Sequence, residues 1–279
     1  MTELLKAALF GLVEGITEWL PISSTGHMIL LEEFVSLDVS EEFWEMFLVV
    51  IQLGAILAVV VLYWKTIWPL GIYRHRKRTT IVWKKDTLRL WAKTIVACIP
   101  AAIVGILFDD WIDENFYHWY VVAMMLILVG IAFLIIEHVQ KNMKPDITDI
   151  KDLSFGDAFI IGLFQLVAAV FPGTSRSGAT ILGGLIIGVS RPVAAEFTFI
   201  LAIPVMAGAS LLKLVKFGFA FTFMEAAILL TGMAVAFVVS IIVIRFLVGY
   251  VRSHDFKPFA VYRIILGIVV ILYFVQFRV

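Results

Sequence analysis

Six blocks of almost unbroken apolar side chains govern what this chain can fold into: Phe47 to Tyr63, Ile95 to Phe108, Val121 to Ile136, Phe197 to Val215, Met224 to Ile244 and Phe259 to Phe274. A helix crosses a hydrocarbon core about 30 Å thick with around 20 apolar residues, so blocks of this length place the chain in a bilayer. Composition agrees, with 62% of the 279 residues hydrophobic and 16% charged, against roughly 45–50% and about 25% in a soluble domain. Two blocks hold a proline, Pro100 and Pro204, and are expected to be interrupted there, with neighbouring helices re-satisfying the freed carbonyls. The single Cys98 rules out a disulfide framework and reads as a small packing residue. Glu14 and Glu18 break the first apolar stretch before any small-residue cleavage site, so no removable signal peptide is expected. A net charge of zero gives no reason to expect a nucleic-acid partner.

Two further apolar segments, Leu4 to Leu20 and Phe155 to Phe171, have a different shape. Each runs into a proline, then a Ser/Thr/Gly cluster, then a second short apolar stretch. A re-entrant helix-loop-helix accounts for that pattern, because irregular backbone at membrane depth survives only when buried in protein or lining a wet cavity. Charge orients the rest. Lys65 to Lys93 carries nine basic residues (Lys65, Arg74, Arg76, Lys77, Arg78, Lys84, Lys85, Arg89, Lys93) against Asp86 alone, which makes this segment cytoplasmic by the positive-inside rule. Arg245, Arg252 and Lys257 face the same way. Asp109 to Tyr120 has four acids, no Lys or Arg, and several aromatics, and belongs to the opposite interface. Lys84, Lys85 and the Arg74 to Arg78 cluster are expected to set topology and touch anionic lipid heads.

Sliding the first half onto the second by 151 positions brings Gly11 onto Gly162, Pro21 onto Pro172, Ser24 onto Ser175 and Glu45 onto Glu196. The expectation is a single membrane domain, residues 1–279, containing repeats over about 1–140 and 152–279. Three crossings per half turn the second copy upside down. The fold class is therefore all-α integral membrane, an inverted-topology repeat of six transmembrane helices plus two re-entrant helix-loop-helix segments. In such architectures the paired interrupted segments mark the binding site, which selects Pro21 to His27 and Pro172 to Thr180.

Those loops carry the polar chemistry. Glu14 and Glu18, four apart, share a helix face at a depth where an ionised carboxylate is expensive; a divalent cation with a taste for hard oxygen ligands, Mg²⁺ or Ca²⁺, would offset their repulsion. Ser23, Ser24, Thr25, Gly26 and His27 follow. His27 could act as nucleophile toward phosphorus or as general acid, and Ser24 is the rival nucleophile with Glu18 or His27 as its base. In the second loop Arg176 offers a planar fork suited to phosphate, while Ser175, Ser177, Thr180 and the amides at a helix start can hold anionic oxygens. The halves are chemically unlike: Gln165 and Ala169 stand at the places of Glu14 and Glu18, and Thr25 at the place of Arg176. Acids and imidazole on one loop, a cation and donors on the other, make a set suited to phosphoryl transfer. Glu45 and Glu196 read as structural.

At these loops the chain resembles the bacterial undecaprenyl pyrophosphate phosphatase family, also known as the bacitracin-resistance protein family. The resemblance rests on Glu14-Gly15-Ile16-Thr17-Glu18 through Pro21-Ile22-Ser23-Ser24-Thr25-Gly26-His27, and on Pro172-Gly173-Thr174-Ser175-Arg176-Ser177-Gly178-Ala179-Thr180. It implies hydrolysis of undecaprenyl pyrophosphate to undecaprenyl phosphate, recycling the carrier lipid for peptidoglycan. It further implies a multi-pass protein of the bacterial cell membrane whose site is reached from the extracytoplasmic side. In the family, residues matching Glu14, Glu18, Ser24, His27 and Arg176 are tied to activity, with a divalent metal, and the choice of nucleophile between Ser and His stays open. The partners implied are the lipid substrate and membrane lipids, and a homodimer is one assembly open to the chain.

Two other classes compete with hydrolysis. A transporter or flippase of the lipid phosphate or a small solute would share the inverted repeat, but has no evident use for His27 beside paired acids. A structural scaffold would use none of these side chains.

Overall fold

Backbone polar groups in hydrocarbon must find partners within the protein, and helices do this within a single segment. The computed structural model describes residues 2–75, 78–218 and 220–277. It is built almost entirely of helices, in the order α1 (Glu3–Thr17), α2 (Ser24–Glu32), α3 (Glu41–Leu62), α4 (Trp64–Ile67), α5 (Lys85–Phe116), α6 (Trp119–Val139), α7 (Phe155–Val170), α8 (Arg176–Ile186), α9 (Arg191–Phe217), α10 (Phe223–Tyr250) and α11 (Lys257–Phe277). Among the described residues six helices are long and apolar enough to cross a membrane: α3, α5, α6, α9, α10 and α11. They contain the six blocks expected from hydropathy, except that Tyr63 caps α3 rather than lying within it. Pro100 and Pro204 interrupt neither, for α5 and α9 run through them; a helix embedded among packed neighbours tolerates one missing amide bond.

An antiparallel hairpin of β1 (Leu70–His75) and β2 (Arg78–Trp83) lies in the basic segment, where no strand was expected. The run Thr79 to Trp83, rich in β-branched residues, carries the strand preference that the density of positive charge concealed. Arg76 and Lys77 of that segment lie outside the described residues.

With 15 and 16 residues, α1 and α7 extend only about 22–24 Å at 1.5 Å per residue, short of a crossing. Each ends inside the protein, turns through a polar loop and continues as a second short helix, α2 or α8. The two pairs enter from opposite ends. Asp38, just before α3, donates its amide to Glu3 at 2.9 Å, which seats the start of α1 beside the start of α3. Lys93 in the third turn of α5 donates to the Lys151 carbonyl at 2.9 Å, which seats the approach to α7 beside the start of α5, where α3 has ended.

Close backbone packing fixes these short helices. Gly11 of α1 meets α10 so tightly that a Cβ would stand 2.3 Å from the Gly232 carbonyl oxygen, and Gly162 of α7 meets α5 with a Cβ 2.4 Å from that of Ala97. Small residues permit such approach in membranes, where packing replaces the hydrophobic drive between helices. Glu137, only 1% exposed, joins three helices by accepting from Arg191 of α9 at 2.9 Å and from the Phe256 amide ahead of α11 at 3.0 Å.

Gly162→Leu is therefore expected to separate α7 from α5 at a cost of about 1–3 kcal/mol or more. A lower unfolding temperature of the detergent-solubilised protein than that of wild type checks this.

Candidate active site

The turn into each second helix is made the same way. Ser23 and Ser175 sit at φ 72° and 69°, among the described residues the only non-glycine positions with positive φ. Each caps the helix it precedes: Ser23 Oγ accepts from the Gly26 amide at 3.3 Å and Ser175 Oγ from the Gly178 amide at 3.1 Å. Positive φ at serine costs about 1–3 kcal/mol and persists only where the surrounding structure over-determines it. The caps also shift the correspondence between halves by one residue. Ser23, rather than Ser24, is the structural counterpart of Ser175, so Ser24 and Arg176 occupy the equivalent first positions of α2 and α8.

From those positions both converge on Glu18. Ser24 Oγ donates to Oε2 at 3.0 Å; Arg176 donates to Oε1 through Nη2 at 3.0 Å and Nε at 3.3 Å. Arg176 also gives Nη1 to the Thr198 carbonyl at 3.0 Å and lies 5.9 Å from the centroid of the Trp19 ring, a cation–π distance. Its guanidinium carries five N–H groups and spends three here, leaving one side of the fork free. Burial explains the pairing, since Glu18 is 7% exposed and an ionised carboxylate at that depth needs a cation.

His27 lies one turn along α2 from Ser24. Nδ1 is 2.7 Å from the Ser23 carbonyl and Nε2 2.7 Å from the Tyr262 hydroxyl, with the rings stacked at 5.6 Å. A carbonyl only accepts, so Nδ1 carries the proton and the Nε2 lone pair receives the tyrosine O–H.

The remaining hydroxyls divide by position. Ser177, fully buried, points back at the first loop, within 2.9 Å of the Glu18 carbonyl and 3.2 Å of the Leu20 carbonyl, and 3.1 Å from Ser175 Oγ. Thr180, also buried, donates to the Arg176 carbonyl and accepts from Thr198 at 2.8 Å. Thr25 is half-buried in the first turn of α2. The structure thus brings together Glu18, Ser24, Arg176, Ser175 and Ser177, carries Thr25 and His27 on the same helix as Ser24, and turns Thr180 into the helix packing.

Glu14 is 2% exposed and its Oε1 has no hydrogen-bond partner. A buried acceptor without a donor is where a cation fits, and Glu14 is the carboxylate best disposed to hold one, because both oxygens of Glu18 are engaged. Among the described residues no group of three or more His, Cys, Asp or Glu lies together, so substrate oxygens and water would complete any such shell, as is usual for Mg²⁺. Gln165, the counterpart of Glu14, is likewise buried, with both amide atoms unpartnered.

Arg263 and Tyr262 are the functional residues that hydropathy hid. Arg263 is fully buried in α11 and reaches five carbonyl oxygens: Leu126 and Met125 of α6, Pro21 of the first loop, and Gly173 and Thr174 of the second. The signal was present, for an arginine inside an apolar span is a functional flag. Gly178 leaves room for it, since a Cβ there would stand 2.7 Å from Nη1.

Six spans, two short helix pairs entering from opposite ends, and a buried acid, arginine and hydroxyl where they meet define an all-α multi-pass membrane protein with a polar centre inside it. The chain belongs to the family described as bacitracin resistance protein BacA, whose model matches residues 7–269. It is 58% identical over 274 residues to the undecaprenyl-diphosphatase of Desulfitobacterium hafniense, covering 98% of this chain and 97% of that one. To the undecaprenyl-diphosphatase of Acetivibrio thermocellus it is 58% identical over 278 residues, covering the whole of both, and to that of Enterococcus faecalis 55% over 270 residues, 97% of this chain and 96% of that one.

Replacing Arg263 with Met would strand the three loop carbonyls of Pro21, Gly173 and Thr174 at membrane depth, those of Met125 and Leu126 keeping their bonds within α6. Each buried acceptor left without its donor costs about 1–3 kcal/mol, so Arg263→Met is expected to lower the unfolding temperature in detergent sharply. Arg263→Lys should recover only part of the loss, because three donors on one nitrogen cannot span both loops.

Proposed function

We infer that this protein is a membrane-embedded hydrolase that converts undecaprenyl diphosphate to undecaprenyl phosphate and inorganic phosphate, recycling the carrier lipid for peptidoglycan. One observation carries the reading: Glu18 binds Ser24 of one loop and Arg176 of the other at the same 3.0 Å. Base, hydroxyl and cation are in contact before any substrate arrives. The near full-length match to proteins named undecaprenyl-diphosphatase supplies the substrate.

On this reading the terminal phosphate docks on the free side of the Arg176 fork and on the amides and hydroxyls at the starts of α2 and α8, including Thr25 and Ser175. Charge developing on the phosphoryl oxygens is then met by donors already oriented. Ser24 Oγ, its proton directed at Glu18, attacks the terminal phosphorus as the proton passes to the carboxylate. The bond from that phosphorus to the bridging oxygen breaks, and its electron pair leaves with the lipid monophosphate. Water next attacks the phosphoserine, giving its proton to His27 Nε2 as the Tyr262 O–H turns away from that lone pair, while Ser24 recovers its own from Glu18. Tyr262 holds the imidazole by stack and hydrogen bond. Glu14, whose Oε1 has no partner, would hold the divalent cation, Mg²⁺ or Ca²⁺, which when bound neutralises charge on the diphosphate oxygens.

The two halves are inverted copies in this proposal, supported by the opposite entry of the short pairs and by the matched caps Ser23 and Ser175. The basic ends of the spans face the cytoplasm of a bacterial plasma membrane, and the site opens to the other side. The same opposite entry favours a second reading, carriage of the lipid phosphate across the bilayer; movement of lipid in sealed vesicles without phosphate release would select it.

Substrate labelled in the terminal phosphate should leave an acid-stable label on the quenched protein that Ser24→Ala abolishes. An acid-labile label lost in His27→Ala instead would make the imidazole the nucleophile. Arg176→Ala is expected to lower kcat about 10²–10³-fold in a phosphate-release assay, the size of one lost charge-stabilising donor. Tyr262→Phe keeps the stack and loses one hydrogen bond, so a fall near tenfold in kcat is expected, from about 1.4 kcal/mol.

A further inference from the structure

A cleft away from the two loops lies at the membrane boundary where α3 ends and α5 begins. It measures about 720 Å³ and is lined by Lys65, Lys84, Lys85, Arg89, Lys93 and Lys151, with Asp86 and Asp152 as its acids. Its walls are tied independently of those charges. Thr87 donates to the Thr66 carbonyl at 3.1 Å and Trp91 to that of Ile67 at 2.8 Å, fixing the first turns of α5 to the chain leaving α3. Lys93, 7% exposed, closes the floor through the Lys151 carbonyl. Asp86 is engaged by Lys151 at 3.6 Å, whereas among the described residues no carboxylate pairs with Lys65, Lys85 or Arg89. A preformed cleft with unspent positive charge at the start of a 32-residue helix is built for an anion.

The rim identifies its source. Trp64 and Trp68 stack with ring centroids 4.5 Å apart and are 47% and 42% exposed. Ile81 and Trp83 of β2 are 72% and 64% exposed. Both groups flank Lys65 and Lys84, so an aromatic and apolar shelf borders the cationic cleft. Exposed tryptophans beside lysines are the arrangement of a membrane interface, and a soluble phosphate would have no use for the shelf. We propose that this cleft binds the phosphodiester headgroup of an anionic membrane lipid, whose acyl chains lie along Trp64, Trp68, Ile81 and Trp83. The site is separate from the hydrolytic centre and draws on none of its residues.

Native mass spectrometry of the full-length protein titrated with phosphatidylglycerol tests it. One lipid should be retained per chain, and Lys85→Ala with Arg89→Ala should weaken retention about 25-fold, at roughly fivefold per charge beside an anionic headgroup. The charge-matched Lys141→Ala with Lys144→Ala should stay within about twofold of wild type. If the double variant unfolds, Arg89→Gln alone should give about fivefold. Equal loss in the Lys141 and Lys144 control, equal retention of phosphatidylcholine, or displacement of the lipid by inorganic phosphate at matched concentration would each overturn the assignment.

Discussion

A guanidinium paired, among the described residues, with carbonyl oxygens and no carboxylate in the interior of a membrane protein is the interaction on which the rest of this structure depends. Arg263 answers two needs at once. The loops that interrupt the short helices expose carbonyls in a region with no water to satisfy them, and the arginine supplies donors to Pro21, Gly173 and Thr174 together. Its planar fork also fixes the distance between the loops, which a lysine could not do. With the loops pinned from α11, Ser24 and Arg176 start their helices within reach of the same carboxylate. The reactive cluster is a consequence of how the backbone of the loops is satisfied.

Around that pin, polar groups serve two distinct ends. Ser177 and Thr180 spend their hydroxyls on backbone and on Thr198, locking one loop to the other and α8 to α9. Ser24, His27 and Glu18 instead bind one another, Arg176 or Tyr262, partners that can be exchanged for substrate. Glu14 and Gln165 are buried with atoms unpartnered, so the corresponding turns of α1 and α7 carry an acid in one half and a neutral amide in the other. A near-symmetric scaffold thereby holds an asymmetric site.

Much of this was legible in the chain. Apolar blocks of spanning length gave the six crossings, and the proline followed by Ser, Thr and Gly gave both loops, because each pattern follows from how backbone is satisfied in lipid. Average hydropathy over Phe259 to Phe274 hides Arg263, although one charge in an apolar span carries more information than the fifteen neighbours around it. The hairpin is hidden for a related reason, with basic charge outweighing β-branched residues. The gapless slide paired Ser24 with Ser175, whereas the helix caps pair Ser23 with it; a one-residue difference in loop length follows from backbone dihedrals, which no register of letters records. Contacts such as Glu18 with Arg176, 158 positions apart, require the loops to meet, and only the packing of α11 against α6 and both loops specifies how.

The ion pair at the centre also sets how firmly the site can hold what it binds. Glu18 stays on Arg176, so on the proposed reading a phosphate that docks on the remaining N–H groups meets a guanidinium whose charge is already answered in part. Its hold is weaker than a lone arginine would give. A diphosphate, with more charge and more oxygens, loses less by this than a monophosphate does. Either product carries a single phosphate and is held more loosely. The resting contact thus tempers affinity where a hydrolase lives among its own lipid product.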